Sequence, residues 1–342
     1  MWCRADCTRD ARGGSPAAWS RLSYGTVALT GPKPARPGEA RYTAEASLPR
    51  AGQIAPDQSR KPPLPAAQEG ALAMTELAAP RTIAADAPQY NARLVRREDE
   101  TDSLAYVWVK FEGEPVPFES GQYMTIGVLV DGRIVQRPYS VASSPAAAGS
   151  DGYEFYVRLV TGGAFTPLLW QLAVGHGMRM IGPKGKFVLE PDDDRIHLFI
   201  SSGTGNAPFV SMMRTLLAAG RPRRAVFLNG VSHASELGYR ELLEGWQQDG
   251  GYPVTYVPTV SRPSDPRSAG WSGRTGRVET IVAPVCAELG LDGSNTIAYL
   301  CGNPDMILSA DATLLELGFP EASVKKELYW PKGKEPKTQN AP

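Results

Sequence analysis

The sequence predicts two folded domains in tandem, an antiparallel β-barrel followed by an α/β domain on a parallel sheet, after an N-terminal extension of different character. Three observations carry that expectation. From Gln89, short alternating or β-rich runs crowd together between turn residues. After Pro191-Asp192-Asp193-Asp194, apolar strand runs alternate with helical stretches. Before about residue 85, no strand or helix periodicity is sustained. The chain has 342 residues, of which 42% are apolar, enough for two domains with real cores.

Residues 1–85 are rich in Ala, Pro, Gly, Arg and Ser. Such low-complexity composition buries too little apolar surface to offset the entropy of ordering, so this segment is expected to be disordered. Asp6, Asp10, Glu39 and Glu45 fit poorly in an acid-poor targeting peptide, and no apolar stretch follows Met1 as a signal peptide needs. Met74-Thr75-Glu76-Leu77 would make a sensible N-terminus, which suggests an over-long start.

The barrel is expected over residues 86–191. Its strands are Tyr90–Arg96, Ser103–Phe111, Tyr123–Val130, Ile134–Ala142, Tyr153–Val160 and Gly177–Gly182. Asp131-Gly132 and Asp151-Gly152 are hairpin signals between such runs. One short helix, Phe165–Leu172, interrupts the series.

The α/β domain is expected over residues 192–330. Strands Ile196–Ile200, Ala225–Val231, Val254–Val260 and Thr296–Cys301 alternate with helices Phe209–Ala219, Glu236–Gln248, Val278–Leu289 and Pro304–Leu317. That rhythm predicts parallel strands with right-handed crossovers. Val324–Trp330 would close the sheet, and residues 331–342 form a polar tail.

Composition excludes several classes. Formal net charge is zero, so bulk attraction to nucleic acid or to a membrane surface has no support. No apolar run approaches the ~20 residues that cross a bilayer. The four cysteines, Cys3, Cys7, Cys286 and Cys301, form no metal-ligand set and no plant-type iron–sulfur spacing. Their scatter suits a reducing cytoplasm, and no metal is expected.

Chemistry concentrates in two glycine turns. Ser202-Gly203-Thr204-Gly205-Asn206-Ala207-Pro208-Phe209 joins a strand to a helix. Such a junction aims unpaired N–H groups and the positive end of a helix dipole at one point, which suits a diphosphate. Pro208 suits the first helical turn and stands where a dinucleotide fingerprint would need its third glycine. In the barrel, Thr161-Gly162-Gly163-Ala164-Phe165-Thr166 repeats the arrangement. One anion site per domain points to two phosphorylated cofactors. Arg137-Pro138-Tyr139-Ser140 adds a cation and an aromatic on one face of a strand.

Four motifs in this order, Arg137-x-Tyr139-Ser140, Gly163-x-x-Thr166, Gly203-Thr204-Gly205-x-Ala207-Pro208-Phe209 and Cys301-Gly302-Asn303-Pro304, resemble the ferredoxin–NADP reductase superfamily. The resemblance spans roughly Tyr90 to Trp330, and the ending Glu327-Leu328-Tyr329-Trp330 is similar to plant-type and some bacterial ferredoxin/flavodoxin–NADP reductases. It implies an FAD-binding barrel followed by an NAD(P)-binding domain.

The resemblance further implies that Tyr139 stacks on the isoalloxazine and Ser140 hydrogen-bonds near its N5. Arg137 would pair with the FAD diphosphate, which Gly163, Ala164, Phe165 and Thr166 would also hold. Gly203, Thr204 and Gly205 would receive the nicotinamide half of NADPH, with Cys301 beside the reacting carbon. Tyr329 would cover the other flavin face, Trp330 would pack on the adenine, and Glu327 would assist proton movement near Ser140. Ser261, Arg262 and Arg277 match the places that grip the 2′-phosphate, which favours NADPH over NADH.

The pattern is broken where Asn206 replaces an apolar residue and where Ser232-His233 stands in place of the arginine that relatives often carry, while Asp265 in the phosphate loop is an objection to NADPH. The implied activity is hydride transfer to FAD, then single-electron delivery to ferredoxin or flavodoxin, by a monomer. An oxygenase reductase component using either nucleotide, or a flavin relay subunit, are the alternatives. An acidic carrier would need cations near the flavin edge. Arg93, Arg96, Arg97, Lys184, Lys186, Lys325, Lys326, Lys332 and Lys334 are available.

Overall fold

The structure is a computed structural model that describes residues 81–190, 192–221, 223–251 and 253–328. The expectations for residues 1–80, for Tyr329 and Trp330, and for the tail lie outside the described residues.

The first sheet is antiparallel. Its strands are β1 Ala92–Thr101, β2 Leu104–Phe111, β3 Tyr123–Val130, β4 Arg133–Ser140, β5 Tyr153–Arg158 and β6 Gly177–Lys184, in the order β4-β3-β6-β1-β2-β5. A bridge between Val141 and Phe155 ties β4 to β5 and closes the barrel. Alternate residues of β3, Met124, Ile126, Val128 and Val130, are buried in its core with Leu94, Val107 and Phe155. Asp131 and Gly132 join β3 to β4 with φ of 48° and 78°, the double positive φ of a type I′ turn. Asp151-Gly152 is no hairpin turn. Helix α1, Pro145–Asp151, stands between β4 and β5, and Gly152 terminates it with φ of 89°. The Ala-Ala-Ala run after Pro145 favours a helix locally. The other barrel helix, α2, is the single turn Thr166–Leu169.

The second sheet is parallel. It comprises β7 Ile196–Ser202, β8 Ala225–Val231, β9 Val254–Val260, β10 Arg274–Thr275, β11 Thr296–Gly302 and β12 Val324–Leu328, in the order β10-β9-β8-β7-β11-β12. The helices are α3 Ala207–Ala218, α4 Arg240–Gln248, α5 Val278–Leu289 and α6 Pro304–Glu316. Residues on one face, among them Phe199, Phe227, Tyr299 and Cys301, pack with α3 and α4. Leu198, Ile200, Val226 and Leu300 face α5 and α6. Burial on both faces explains the near-continuous apolar strands.

The helix expected over Glu236–Gln248 starts late. Ala234–Glu236 is a 3-10 turn, Tyr239 takes φ of 59°, and α4 begins at Arg240. Tertiary contact sets this. A Cβ at Gly238 would lie 2.2 Å from the Tyr156 hydroxyl, and Tyr239 N donates to Tyr106 Oη at 2.8 Å.

The face that carries Phe199 and Cys301 also meets the barrel, through Leu104, Ala142, Tyr156 and Phe187. A buried polar cluster crosses the same seam. Glu154 on β5 accepts from Arg214 Nη1 on α3 at 2.6 Å and from Tyr239 Oη at 2.7 Å.

Candidate active site

Strand order reverses direction between β7 and β11, which are neighbours in the sheet but lie far apart in sequence. Crossovers leave such a switch point in opposite directions, so a crevice opens beyond the C-terminal strand ends, where α/β sheets bind ligands. Both glycine motifs of this domain end there. After β7, the turn Gly203–Asn206 leads into α3, with Pro208 in its first turn. At the end of β11, Gly302 has φ of 137°, a conformation favouring glycine, and a Cβ there would lie 2.5 Å from Ser202 Oγ. Asn303 N donates to that same Ser202 Oγ at 2.9 Å. A Cβ on Gly205 would sit 2.3 Å from the Cys301 carbonyl oxygen. The two turns therefore touch through bare backbone.

Beside them, β11 pairs with β12 so that Cys301 lies opposite Glu327. Glu327 reaches across to the barrel, where Ser140 Oγ donates to its Oε2 at 3.3 Å. Burial pushes the Glu327 carboxyl up to about 7, against the opposing effect of the Ser140 bond. Gly185 packs on the Tyr123 ring near the same carboxyl, for a Cβ there would lie 3.2 Å from Tyr123 and 3.7 Å from Glu327 Oε1.

Tyr139, on the strand that ends at Ser140, is half-buried between Phe155 and Phe165, with ring centroids 6.4 and 6.0 Å away. Burial raises its hydroxyl pKa strongly, so it stays a neutral aromatic surface. Arg137 is exposed, and its guanidinium donates to Gln136 O at 2.8 Å. The Thr166 hydroxyl is spent inside its own loop. It accepts from Val160 N at 2.9 Å and donates to Val160 O at 3.2 Å. Phe165 is buried in the core, so it offers the site only its backbone. The N–H groups of Ala164, Phe165 and Thr166 donate to no backbone carbonyl among the described residues. A Cβ on Gly163 would meet Val160 O at 2.9 Å. A turn of open N–H donors too tight for a side chain, beside an exposed arginine and an aromatic, fits a flavin diphosphate and ring.

A cleft of about 710 Å³ runs from Ser202, Gly203 and Thr204 past Gly230 to Ser261, Arg262 and Arg277. It brings the glycine turn and the three 2′-phosphate candidates into one groove, a fit for a dinucleotide. Arg262 and Arg277 are both exposed along it.

Sequence reasoning missed Arg158. At the end of β5 it lies beside the turn, with Nη2 3.8 Å from where a Gly203 Cβ would be, and it pairs with Glu236 Oε1 at 3.0 Å. Its signal was a cation at a strand end just before Val160-Thr161-Gly162-Gly163. Most of the expected docking cations are already paired: Arg93 with Glu112, Arg96 with Glu98, Arg97 with Asp99, Lys325 with Glu190 and Lys326 with Asp311. Lys184 and Lys186 are exposed, without ion pairs among the described residues, and flank Gly185 beside Glu327. Cys286 and Cys301 are both buried. Among the described residues no cluster of side chains could hold a metal ion, and no helix is long and apolar enough to cross a membrane.

Known proteins match both halves. Residues 92–189 match the oxidoreductase FAD-binding domain family and residues 199–312 the oxidoreductase NAD-binding domain family. Ferredoxin–NADP reductase B of Sorangium cellulosum is 34% identical over 223 residues, which cover 64% of this chain and 88% of that protein. The chain belongs to the ferredoxin–NADP reductase superfamily. As a member it is an oxidoreductase with an FAD-binding and an NAD-binding domain. It is also similar to the phenol hydroxylase P5 protein of Acinetobacter pittii, 32% identical over 243 residues, with 70% of this chain covered but only 65% of that protein. The crystal structure of the Amycolatopsis reductase GcoB superposes with a TM-score of 0.60 at 27% identity, over 74% of this chain and 71% of that one.

Proposed function

We propose that this chain is an NADPH-dependent flavoenzyme that delivers single electrons to a small acidic carrier of the ferredoxin or flavodoxin kind. FAD would lie on residues 86–191 and the nicotinamide nucleotide on residues 192–330. One observation carries the reading. Gly205 abuts Cys301, Cys301 pairs in register with Glu327, and Glu327 accepts a hydrogen bond from Ser140. That line joins the nucleotide turn of one domain to the Tyr139-Ser140 strand of the other.

Bound FAD would supply the step from a two-electron donor to a one-electron acceptor. The chain's own residues position and protect. Tyr139 offers a neutral ring face, and the open N–H groups at Ala164–Thr166 with Arg137 hold a diphosphate. Gly203, Thr204 and Gly205 let the nucleotide approach the backbone closely beside Cys301. Ser261, Arg262 and Arg277 supply a hydroxyl and two guanidinium groups for a 2′-phosphate. Glu327, half-protonated near neutral pH, holds a proton on Oε1 or Oε2 and exchanges it through the Ser140 hydroxyl. Tyr329 as the cover of the flavin face and Trp330 against the adenine complete the assignment, as does a cytoplasmic monomer, which light scattering on the purified protein tests.

The similarity to the phenol hydroxylase P5 protein favours a second reading, in which the acceptor belongs to an oxygenase system. The deciding experiment is anaerobic titration of the purified protein with NADPH and NADH separately, following bleaching of the flavin band. Fast bleaching by NADPH and slow bleaching by NADH is expected. Equal rates favour the oxygenase reading, and a yellow protein reduced by neither nucleotide removes both in favour of a relay subunit.

A further inference from the structure

His233 follows β8 and is 2% exposed, yet no element of the proposed chemistry uses it. Two carboxylates flank its ring. Nδ1 lies 3.2 Å from Glu236 Oε1, and Nε2 lies 3.4 Å from Asp265 Oδ2, outside hydrogen-bond geometry. Each carboxylate has a second, cationic partner. Glu236 accepts from Arg158 Nη1 of the barrel at 3.0 Å. Asp265 accepts from Arg267 N, Nε and Nη2, each at 2.9 Å. Burial opposes the Glu236 charge, but the Arg158 and His233 contacts outweigh it and hold the carboxyl below its ordinary range. The Arg267 contacts hold Asp265 well below its own. Both groups are therefore anions, and the His233 ring stands between them, hydrogen-bonded on the Glu236 side and in contact only on the Asp265 side.

The same loop is fastened next to His233. Arg262 N donates to Ser232 O at 2.9 Å, Ser268 Oγ to Arg262 O at 2.9 Å, and Ala234 N to Ser268 Oγ at 3.1 Å. Arg262 and Glu236 line the cleft, and Asp265 does not. The imidazole stands between the cleft-lining Glu236 and Asp265 of the phosphate loop.

We propose that His233 is a positioning residue for coenzyme discrimination: packed between Glu236 and Asp265, it keeps Glu236 turned to Arg158 and holds the loop so that Arg262, not Asp265, meets the 2′-phosphate. The proposal rests on the NADPH reading above. An ordinary satisfied core histidine would affect stability alone. A ring that sets where Asp265 points affects selectivity, because a like charge turned toward a phosphate repels it.

The test is calorimetric titration of the flavin-loaded protein with adenosine 2′,5′-bisphosphate and with 5′-AMP, in wild type, His233→Ala, His233→Gln and His233→Ala/Asp265→Asn. Wild type is expected to prefer the bisphosphate. His233→Ala should narrow that preference about tenfold, equivalent to ~1.4 kcal/mol. Removing the Asp265 charge in the double variant should restore most of it. His233→Gln, with one amide for two carboxylates, should fall between and serves if His233→Ala does not fold. An unchanged preference in a folded His233 variant, or no restoration by Asp265→Asn, overturns the proposal alone. A wild type that does not distinguish the two ligands overturns the NADPH reading and this proposal with it.

Discussion

Ser140 and Glu327 stand 187 residues apart in sequence, and the Ser140 hydroxyl donates to the Glu327 carboxylate at 3.3 Å. The contact spans the seam between barrel and parallel sheet, so a carboxylate of one domain is desolvated by the other. That desolvation pushes its pKa up to about 7.

Glu327 sets the first expectation. In wild type, turnover with a one-electron acceptor should show an inflection near pH 7 that Glu327→Gln abolishes, with kcat reduced about 10²-fold. The folded state prefers the protonated carboxyl, whose pKa is raised above the unfolded value. Its stabilisation is full below the ordinary carboxylate range and is lost as pH rises through about 7. Above that pH, Glu327→Gln should therefore melt higher than wild type, and below pH 4 the two should converge.

Gly205→Ala tests the contact between the two turns. Its new Cβ would overlap the Cys301 carbonyl, a rigid backbone atom. Overpacking of this kind costs about 1–3 kcal/mol, so thermal unfolding should show a Tm several degrees lower. NADPH reduction of the flavin should slow more than reduction by dithionite, which needs no nucleotide turn.

The seam cluster Glu154–Arg214–Tyr239 predicts strong coupling. Arg214→Met leaves Glu154, 5% exposed, without its cation. Breaking one side of a buried pair costs about 3–5 kcal/mol, whereas removing both charges costs far less. Denaturant unfolding of Arg214→Met, Glu154→Gln and the double variant should give a double variant more stable than Arg214→Met.

Lys184→Glu with Lys186→Glu should raise the KM for an acidic carrier about tenfold at low salt, and the difference should shrink as salt rises. Reduction of ferricyanide by NADPH, which needs no protein docking, should be unchanged. The same reversal at Arg93 should do less, because Glu112 already neutralises it at 2.7 Å.

Arg262→Ala combined with Arg277→Ala should raise the KM for NADPH about tenfold or more and leave that for NADH within twofold, in steady-state assays at fixed acceptor. Equal losses with both nucleotides would remove the two arginines from recognition of the 2′-phosphate.

Local sequence determined much of this protein. The strands Tyr123–Val130, Ala225–Val231 and Val254–Val260 and the helix Val278–Leu289 have the ends that periodicity and turn residues indicate. Those signals act between neighbours, and so does the strand–glycine–helix junction at Gly203–Phe209. Only tertiary structure decided what crosses the chain. The helix expected from Glu236 waits until Arg240 because Tyr106 and Tyr156 of the barrel occupy its first turn. Asp151-Gly152 ends a helix instead of turning a hairpin. Arg93 and Lys325 are cations in the sequence but neutralised pairs in the fold. The Glu327 proton and the anions that enclose His233 depend on burial and on partners brought from other strands and loops. Charge and desolvation are properties of neighbours in space, and sequence spacing does not carry them.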